Sequence, residues 1–368
     1  MERESPGSTG RVTRSDRAAE VDEPVGVGLV GYGMSGSALH APLITAEPRL
    51  RLRAAVTSDP DRVHRDLPCL EVVPTLARLL DDPAVELVVV AAPNAAHHEL
   101  VRAALEAGRH VVVDKPFTLT TAEADDLIRV ATERDRRLTV FQQRRWDADF
   151  LTVRRCVDEG LVGRVTTYVA HYDRFTPQPA GRWTEQDHPG AGVLYDLGSH
   201  LIDQALCLFG TPETVSADLQ VQRPGGAPVD YAHLVLGYGP LRVILHVGSL
   251  VRAPGPRFTV HGDVGSFVKS GIDGQIAALL AGGRPGEPGW GEEPDDRYGT
   301  LTTELGGLAA TARLASVPGA YGTFYRQVAA AVRGEGPVPV PAEQARDTIR
   351  VIECAQRSSR EGRVVPYL

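Results

Sequence analysis

Residues 25–36 read Val-Gly-Val-Gly-Leu-Val-Gly-Tyr-Gly-Met-Ser-Gly, an apolar run ending in Gly31, Gly33 and Gly36 at the spacing G-x-G-x-x-G. The run predicts a strand over 25–30, and the residues behind the glycines predict a helix. Each glycine then has its own task. Gly31 permits the tight turn, Gly33 lets the backbone approach a pyrophosphate, and Gly36 lets the helix pack close to the sheet. Met34 and Ser35 fall at the helix start, where free N–H groups and the positive end of the helix dipole favour a phosphate without a basic side chain.

Working outward, further strand-length apolar runs lie at 50–57, 86–92, 110–113 and 138–141, with helical patterns at 95–107 and 121–134 between them. Gly108 closes the first of these helices; Thr120 or Thr121, with Glu123 close behind, opens the second. This alternation is the signature of a parallel sheet with crossover helices, so the first part of the chain is α/β. After Arg145 the texture changes. A helix at 147–159 precedes β-rich segments at 165–172, 215–222, 232–237 and 242–247, which predict an antiparallel sheet, with helices at 193–209, 321–332 and 342–360. The second part is therefore α+β. The expected division is a tail over 1–24, a dinucleotide-binding domain over 25–143, and a substrate-binding and oligomerisation domain over 144–368. The Pro/Gly/acidic stretch 284–298 reads as a loop.

The chain has 368 residues, enough for two domains, with 42% hydrophobic and 23% charged residues, the ordinary globular balance. Its 39 Lys+Arg against 47 Asp+Glu leave a net charge of -8, which repels phosphate backbones and anionic lipids and argues against nucleic acid as a partner. Four widely spaced cysteines, Cys69, Cys156, Cys207 and Cys354, suggest neither a disulfide framework nor a zinc knuckle, so a reducing cytoplasm is expected. No apolar run approaches the roughly 18 residues of a membrane span, and the arginine-bearing 1–24 segment lacks the apolar core of a signal peptide. His97 and His98, adjacent on a helix, point apart, and nothing completes a ligand set around Asp196 and His200; no metal is expected.

Three constellations carry chemistry. Ser58 and Asp59 end the second strand, where an acid would receive ribose hydroxyls; Ser58 suits a 2′-phosphate, Asp59 a free 2′-hydroxyl, and Arg62 is the nearby cation. NAD and NADP both stay open. Pro93-Asn94 with His97, and Asp114-Lys115-Pro116, follow strands whose carboxyl ends face the cofactor crevice, so Asn94 and Lys115 belong where nicotinamide and substrate would meet. Finally, Asp196 and His200 share a helical face at i and i+4, a carboxylate–imidazole arrangement suited to moving protons.

Together, the glycine turn, Pro93-Asn94 with His97, Asp114-Lys115-Pro116 and Asp196-x-x-x-His200 resemble the glucose-fructose oxidoreductase / inositol dehydrogenase / MocA family over about residues 25–368. Residues 142–151 (QQRRWDADFL), 195–204 (YDLGSHLIDQ) and 271–275 (GIDGQ) resemble its branch containing NADP-dependent scyllo-inositol dehydrogenases. The chain departs from that pattern in having Asp114 where the family usually has Glu, and Asp59 where related enzymes can carry Arg. The resemblance implies a Rossmann domain followed by a domain built on a large open mixed sheet, whose exposed face commonly forms dimer or tetramer contacts. It implies Lys115 and Asp196 as catalytic partners and His200 as proton donor or acceptor, in an NAD(P)-dependent dehydrogenase or ketoreductase for a ring hydroxyl of a cyclitol or sugar. Arg145, Trp146, Tyr172, Arg182 and Asp203 are further candidates for the polyol site, which needs several hydrogen bonds and an aromatic surface. Two other readings compete: a glycosidase of the same fold that uses bound NAD with no net redox, and a non-catalytic nucleotide sensor.

Overall fold

The computed structural model describes residues 23–179, 181 and 185–368. Most of the segment expected to be a tail, and Arg182, lie outside the described residues. Six strands, β1 (Val25–Val30), β2 (Leu50–Val56), β3 (Glu71–Val73), β4 (Leu87–Val90), β5 (His110–Asp114) and β6 (Leu138–Phe141), form one sheet in the order β3-β2-β1-β4-β5-β6. All its pairings are parallel. Every residue of β1 and β4 is buried, because crossover helices cover both faces; that is why these strands read as unbroken apolar runs. The order reverses between β1 and β4, and a cleft opens at the carboxyl ends of strands so arranged.

The helix Thr121–Glu133 begins with a complete capping box: Thr120 Oγ1 accepts from the Glu123 amide while the Glu123 carboxylate accepts from the Thr120 amide. Its outer end also anchors the two halves of the chain to one another, since Glu353, on the long helix Ala342–Glu361, accepts from both the amide and the hydroxyl of Thr121.

The second sheet has nine strands: β7 (Val165–His171), β8 (Thr214–Gln220), β9 (Tyr231–Tyr238), β10 (Leu241–Gly248), β11 (Phe258–Gly262), β12 (Gly265–Lys269), β13 (Gly299–Leu305), β14 (Leu308–Leu314) and β15 (Val365–Pro366), in the order β14-β13-β12-β11-β7-β10-β9-β8-β15. It is mixed. β7 and β10 pair in parallel and the other pairs are antiparallel, which corrects the purely antiparallel reading of the strand pattern and agrees with the mixed sheet implied by the resemblance. One face packs on helices: Tyr168 and Ala170 of β7, Leu234 and Leu236 of β9, and Val243 and Leu245 of β10 are all buried. The alternate residues of these strands point to the other, more open face. β11 to β14 escape the sequence reading, because Thr, Gly and Ser dilute their apolar alternation.

The stretch 193–209, expected to be one helix, is a widened π-helical turn, Leu194–Gly198, running into the α-helix Ser199–Phe209, which Gly210 closes with φ +72°. Such turns recur at functional sites because the extra residue re-aims the side chains around them.

Candidate active site

The glycine turn shows which constraints come from the protein and which from a ligand. A Cβ on Gly31, whose φ is +94°, would come 2.3 Å from the carbonyl oxygen of Ala91, and one on Gly36 would come 2.2 Å from that of Gly31. Both are held to glycine by the fold itself. A Cβ on Gly33 would meet no atom within 4 Å. The space over Gly33, open at the helix start beside Met34 and Ser35, therefore fits a group the chain does not supply, as a dinucleotide pyrophosphate would require.

At the end of β2, Ser58 and Asp59 are both exposed. Asp59 caps the helix Pro60–Asp66, its Oδ1 accepting from the Arg62 amide at 3.1 Å. The Arg62 side chain turns back across the turn, its Nη2 donating to Ser37 Oγ at 3.0 Å. One acid is thus partly occupied with local structure, while a guanidinium stands beside the glycine-turn helix.

Beyond β4, Pro93 is exposed and Asn94 is buried, its Nδ2 donating to the Gly190 carbonyl at 3.0 Å. His97 is buried with both ring nitrogens against backbone carbonyls, Pro116 O and Ala92 O, each at 2.9 Å. It ties together the loops leaving β4 and β5. Asp114 accepts from the Lys115 amide at 2.8 Å and stands 3.5 Å from Nε2 of the buried His40. Burial alone would raise its pKa, but His40, Ser35 and Lys115 outweigh burial and bring it to about 2. Asp114 is therefore ionised across the physiological range.

Lys115, just past β5, reaches the π-helical turn of the second sheet's domain. Its Nζ donates to the Asp196 main-chain oxygen at 2.6 Å and to Asp196 Oδ1 at 3.0 Å. Two residues 81 apart in sequence thus meet, one on each side of the cleft. Four residues further, His200 is buried, and its Nδ1 has no hydrogen-bond partner among the described residues. Burial, then the charges of Lys115, Arg144, Arg257 and Arg174, push its pKa well below the ordinary histidine value. The imidazole is held in its neutral form.

Tyr172 stacks near His200, with ring centroids 6.4 Å apart, and is enclosed by cations: the guanidinium carbons of Arg257, Arg144 and Arg174 lie 4.6, 5.0 and 5.3 Å from its ring centroid. Arg144 Nη2 also donates to the Tyr172 hydroxyl at 2.6 Å. Arg174 and Asp196 line one small cleft together with Gly192, Val193, Leu197 and Arg223. Sequence reasoning missed Arg144, Arg174 and Arg257. The position of Arg174, two residues past Tyr172 at the end of a strand, is the one signal that would have pointed to any of them.

Arg145 and Asp203, both substrate-site candidates, face each other in a buried bidentate pair at 2.8 and 2.7 Å, and Arg145 Nη1 donates to Gln344 Oε1 at 2.7 Å. Trp146 packs edge-on against Phe324 at 5.8 Å, and its carbonyl accepts from Gln275 Nε2.

The chain as a whole has counterparts among known proteins. Residues 25–142 match the oxidoreductase-family model for an NAD-binding Rossmann fold, and residues 154–367 match that family's C-terminal alpha/beta domain. The chain belongs to the Gfo/Idh/MocA oxidoreductase family. Within it, the chain is 44% identical over 343 residues to scyllo-inositol 2-dehydrogenase (NADP(+)) IolW of Bacillus subtilis, covering 93% of this chain and 96% of that one. It is 43% identical to the oxidoreductase YdgJ of Escherichia coli, covering 92% and 98%. Solved oxidoreductase structures superpose closely: the Bacillus subtilis oxidoreductase yvaA gives a TM-score of 0.88 at 43% identity over 93% and 99% of the two chains. The Yersinia pestis oxidoreductase YPO2259 gives 0.90 at 41% identity over 94% and 97%. The chain is accordingly an NAD(P)-binding oxidoreductase of this family, with a dinucleotide-binding Rossmann domain and a C-terminal domain on a mixed sheet. No helix among the described residues is long and apolar enough to cross a membrane.

Proposed function

We propose that this Gfo/Idh/MocA protein is a dehydrogenase or ketoreductase that interconverts a secondary ring alcohol and its ketone on a cyclitol or sugar. The observation that carries this reading is the Lys115–Asp196 pair beside the neutral, buried His200. When bound, the nicotinamide supplies the site that accepts or delivers a hydride. The chain's own residues do the rest. Lys115, oriented by Asp196, places a cation where an alkoxide develops, and His200 takes the hydroxyl proton in oxidation or returns it in reduction. Tyr172, buried beside His200 and ringed by Arg144, Arg174 and Arg257, packs behind them. The printed substrate of the Bacillus subtilis relative, scyllo-inositol, belongs to the same chemical class.

NADP is the form this reading favours. Asp59 is engaged as a helix cap, while Ser58 and the Arg62 guanidinium flank the place a 2′-phosphate would occupy. The test offers purified protein myo-inositol, scyllo-inositol, glucose and their keto forms with each nicotinamide, in both directions. Turnover of a cyclitol or sugar with NADP(H) ahead of NAD(H) is expected; no turnover of any of these compounds with either nicotinamide would overturn the assignment.

A further inference from the structure

His171, the last residue of β7, and His246 on β10 are direct partners in the parallel pairing of these strands. Asp173 follows β7 by two residues, and its carboxylate lies between the two rings. Oδ2 is 3.1 Å from His171 Nδ1, and Oδ1 is 2.8 Å from His246 Nδ1. One ligand atom from each residue falls within 4.8 Å of the others. Tetrahedral ligands held at about 2.1 Å from an ion would be spaced about 3.4 Å apart, so the set needs little movement to close.

The surroundings hold these groups in place. The Gly248 amide donates to Asp173 Oδ1 at 3.1 Å, and a Cβ on Gly248 would come 2.8 Å from Val251 Cγ2 and 3.2 Å from His246 Cε1, so the backbone here is closely packed beside the imidazole. Tyr231 stands edge-on to His246 with centroids 5.3 Å apart, and His233, its antiparallel partner on β9, is at 6.0 Å. The His171 side chain is 32% exposed in the single chain. Paired strands hold ligands more precisely than loops do, and a carboxylate oriented by a backbone amide has the outer-shell support that metal sites use.

From this geometry we infer that His171, Asp173 and His246 form a site for a divalent transition metal on the more open face of the nine-stranded sheet. Two imidazoles and one carboxylate suit Zn²⁺ or Co²⁺ and leave a coordination position to water. The site was not visible as a sequence spacing, because 75 residues separate His246 from His171. In the metal-free protein, protons occupy the imidazole–carboxylate contacts, and the ion would displace them.

The test is titration of chelator-stripped, full-length protein with Co²⁺, followed by visible absorbance, and with Zn²⁺, followed by calorimetry. The expected result is one ion per chain, with ligand-field bands that disappear when Zn²⁺ displaces Co²⁺. Loss of a ligand should weaken binding by at least the 10- to 100-fold order seen when outer-shell partners are removed, so His171→Asn and His246→Asn each weaken it by that much. His200→Asn keeps wild-type binding, which separates this site from the nucleotide cleft. Uptake below one ion per chain, or uptake unchanged in the His171→Asn/His246→Asn double variant, overturns the assignment. Should the double variant fail to fold, histidine NMR of the wild type decides. The first equivalent of Zn²⁺ must shift the ring signals of His171 and His246 and leave that of the exposed His64 in place; the reverse pattern overturns it.

Discussion

Lys115 Nζ is bonded both to the carboxylate of Asp196, at 3.0 Å, and to its main-chain oxygen, at 2.6 Å. The double contact fixes the ammonium relative to the π-helical turn as well as to a side chain that could rotate. It joins the carboxyl end of a parallel strand to the entry of the helix carrying His200.

Replacing Lys115 with Met should therefore cost turnover while the glycine-turn cradle keeps its cofactor. A positioned acid–base or charge-stabilising group contributes on the order of 10²- to 10⁴-fold, and a loss in kcat of that size is expected with NADPH affinity, read by nucleotide fluorescence, changed only a few-fold. Asp196→Asn should fall in the same direction by less, because its main-chain oxygen still receives the lysine.

The glycines make a sharper comparison. Gly33→Ala leaves the fold intact, since the new methyl meets nothing within 4 Å, and weakens dinucleotide binding. Gly36→Ala must push against the Gly31 carbonyl at 2.2 Å and destabilises the nucleotide domain itself. Urea midpoints and cofactor titrations on the two variants separate these outcomes; unchanged dinucleotide affinity in Gly33→Ala would show that the space over Gly33 is not kept for a ligand.

Arg62→Ala tests the 2′-phosphate assignment. A hydrogen bond to a charged group contributes about 1.5–3 kcal/mol, so KM for NADPH should rise by about tenfold or more while KM for NADH stays near the wild-type value. A parallel rise for both cofactors would assign Arg62 to shaping the turn through Ser37.

His200 sets a pH dependence. A histidine whose folded pKa is depressed protonates first in the unfolded chain, so its contribution to stability is complete above about pH 6.5 and is withdrawn as pH falls toward the folded value. The drop in urea midpoint between about pH 7.5 and pH 5.5 should be smaller in His200→Asn than in wild type. It will not vanish, because His110, brought to about 4 chiefly by burial, acts in the same direction.

The buried Arg145–Asp203 pair predicts a stability effect. With both side chains buried, Arg145→Met leaves the Asp203 carboxylate without its guanidinium and should cost about 3–5 kcal/mol. The check is unfolding by urea; a variant as stable as wild type but with a raised substrate KM would return Arg145 to the substrate site.

How much of this was legible in the sequence follows the range of the interactions involved. The parallel sheet was readable because β1 and β4 are buried on both faces, and Gly31, Gly36, Lys115, Asp196 and His200 were readable because each sits at a strand end or helix turn marked by its own neighbours. Arg144 and Arg145 are adjacent on a 3-10 turn that sends one to Tyr172 and the other to Asp203, and no local pattern distinguishes them. Arg257 reaches Tyr172 from a position 85 residues away, and the His171–His246 pairing depends on a parallel register that exists only once the sheet has formed. Asp59 leaves cofactor choice open for a different reason: a helix cap and a ribose acceptor use the same residue type at the same place.

The most direct test follows deuterium from NADPH labelled at C4 into a keto-cyclitol, read by mass spectrometry of the polyol formed. The account predicts one deuterium on the new ring carbinol per NADPH consumed with wild-type protein, and label entering on the order of 10²- to 10⁴-fold more slowly with Lys115→Met. Tight NADPH binding with no labelled polyol from any cyclitol or sugar ketone would contradict it.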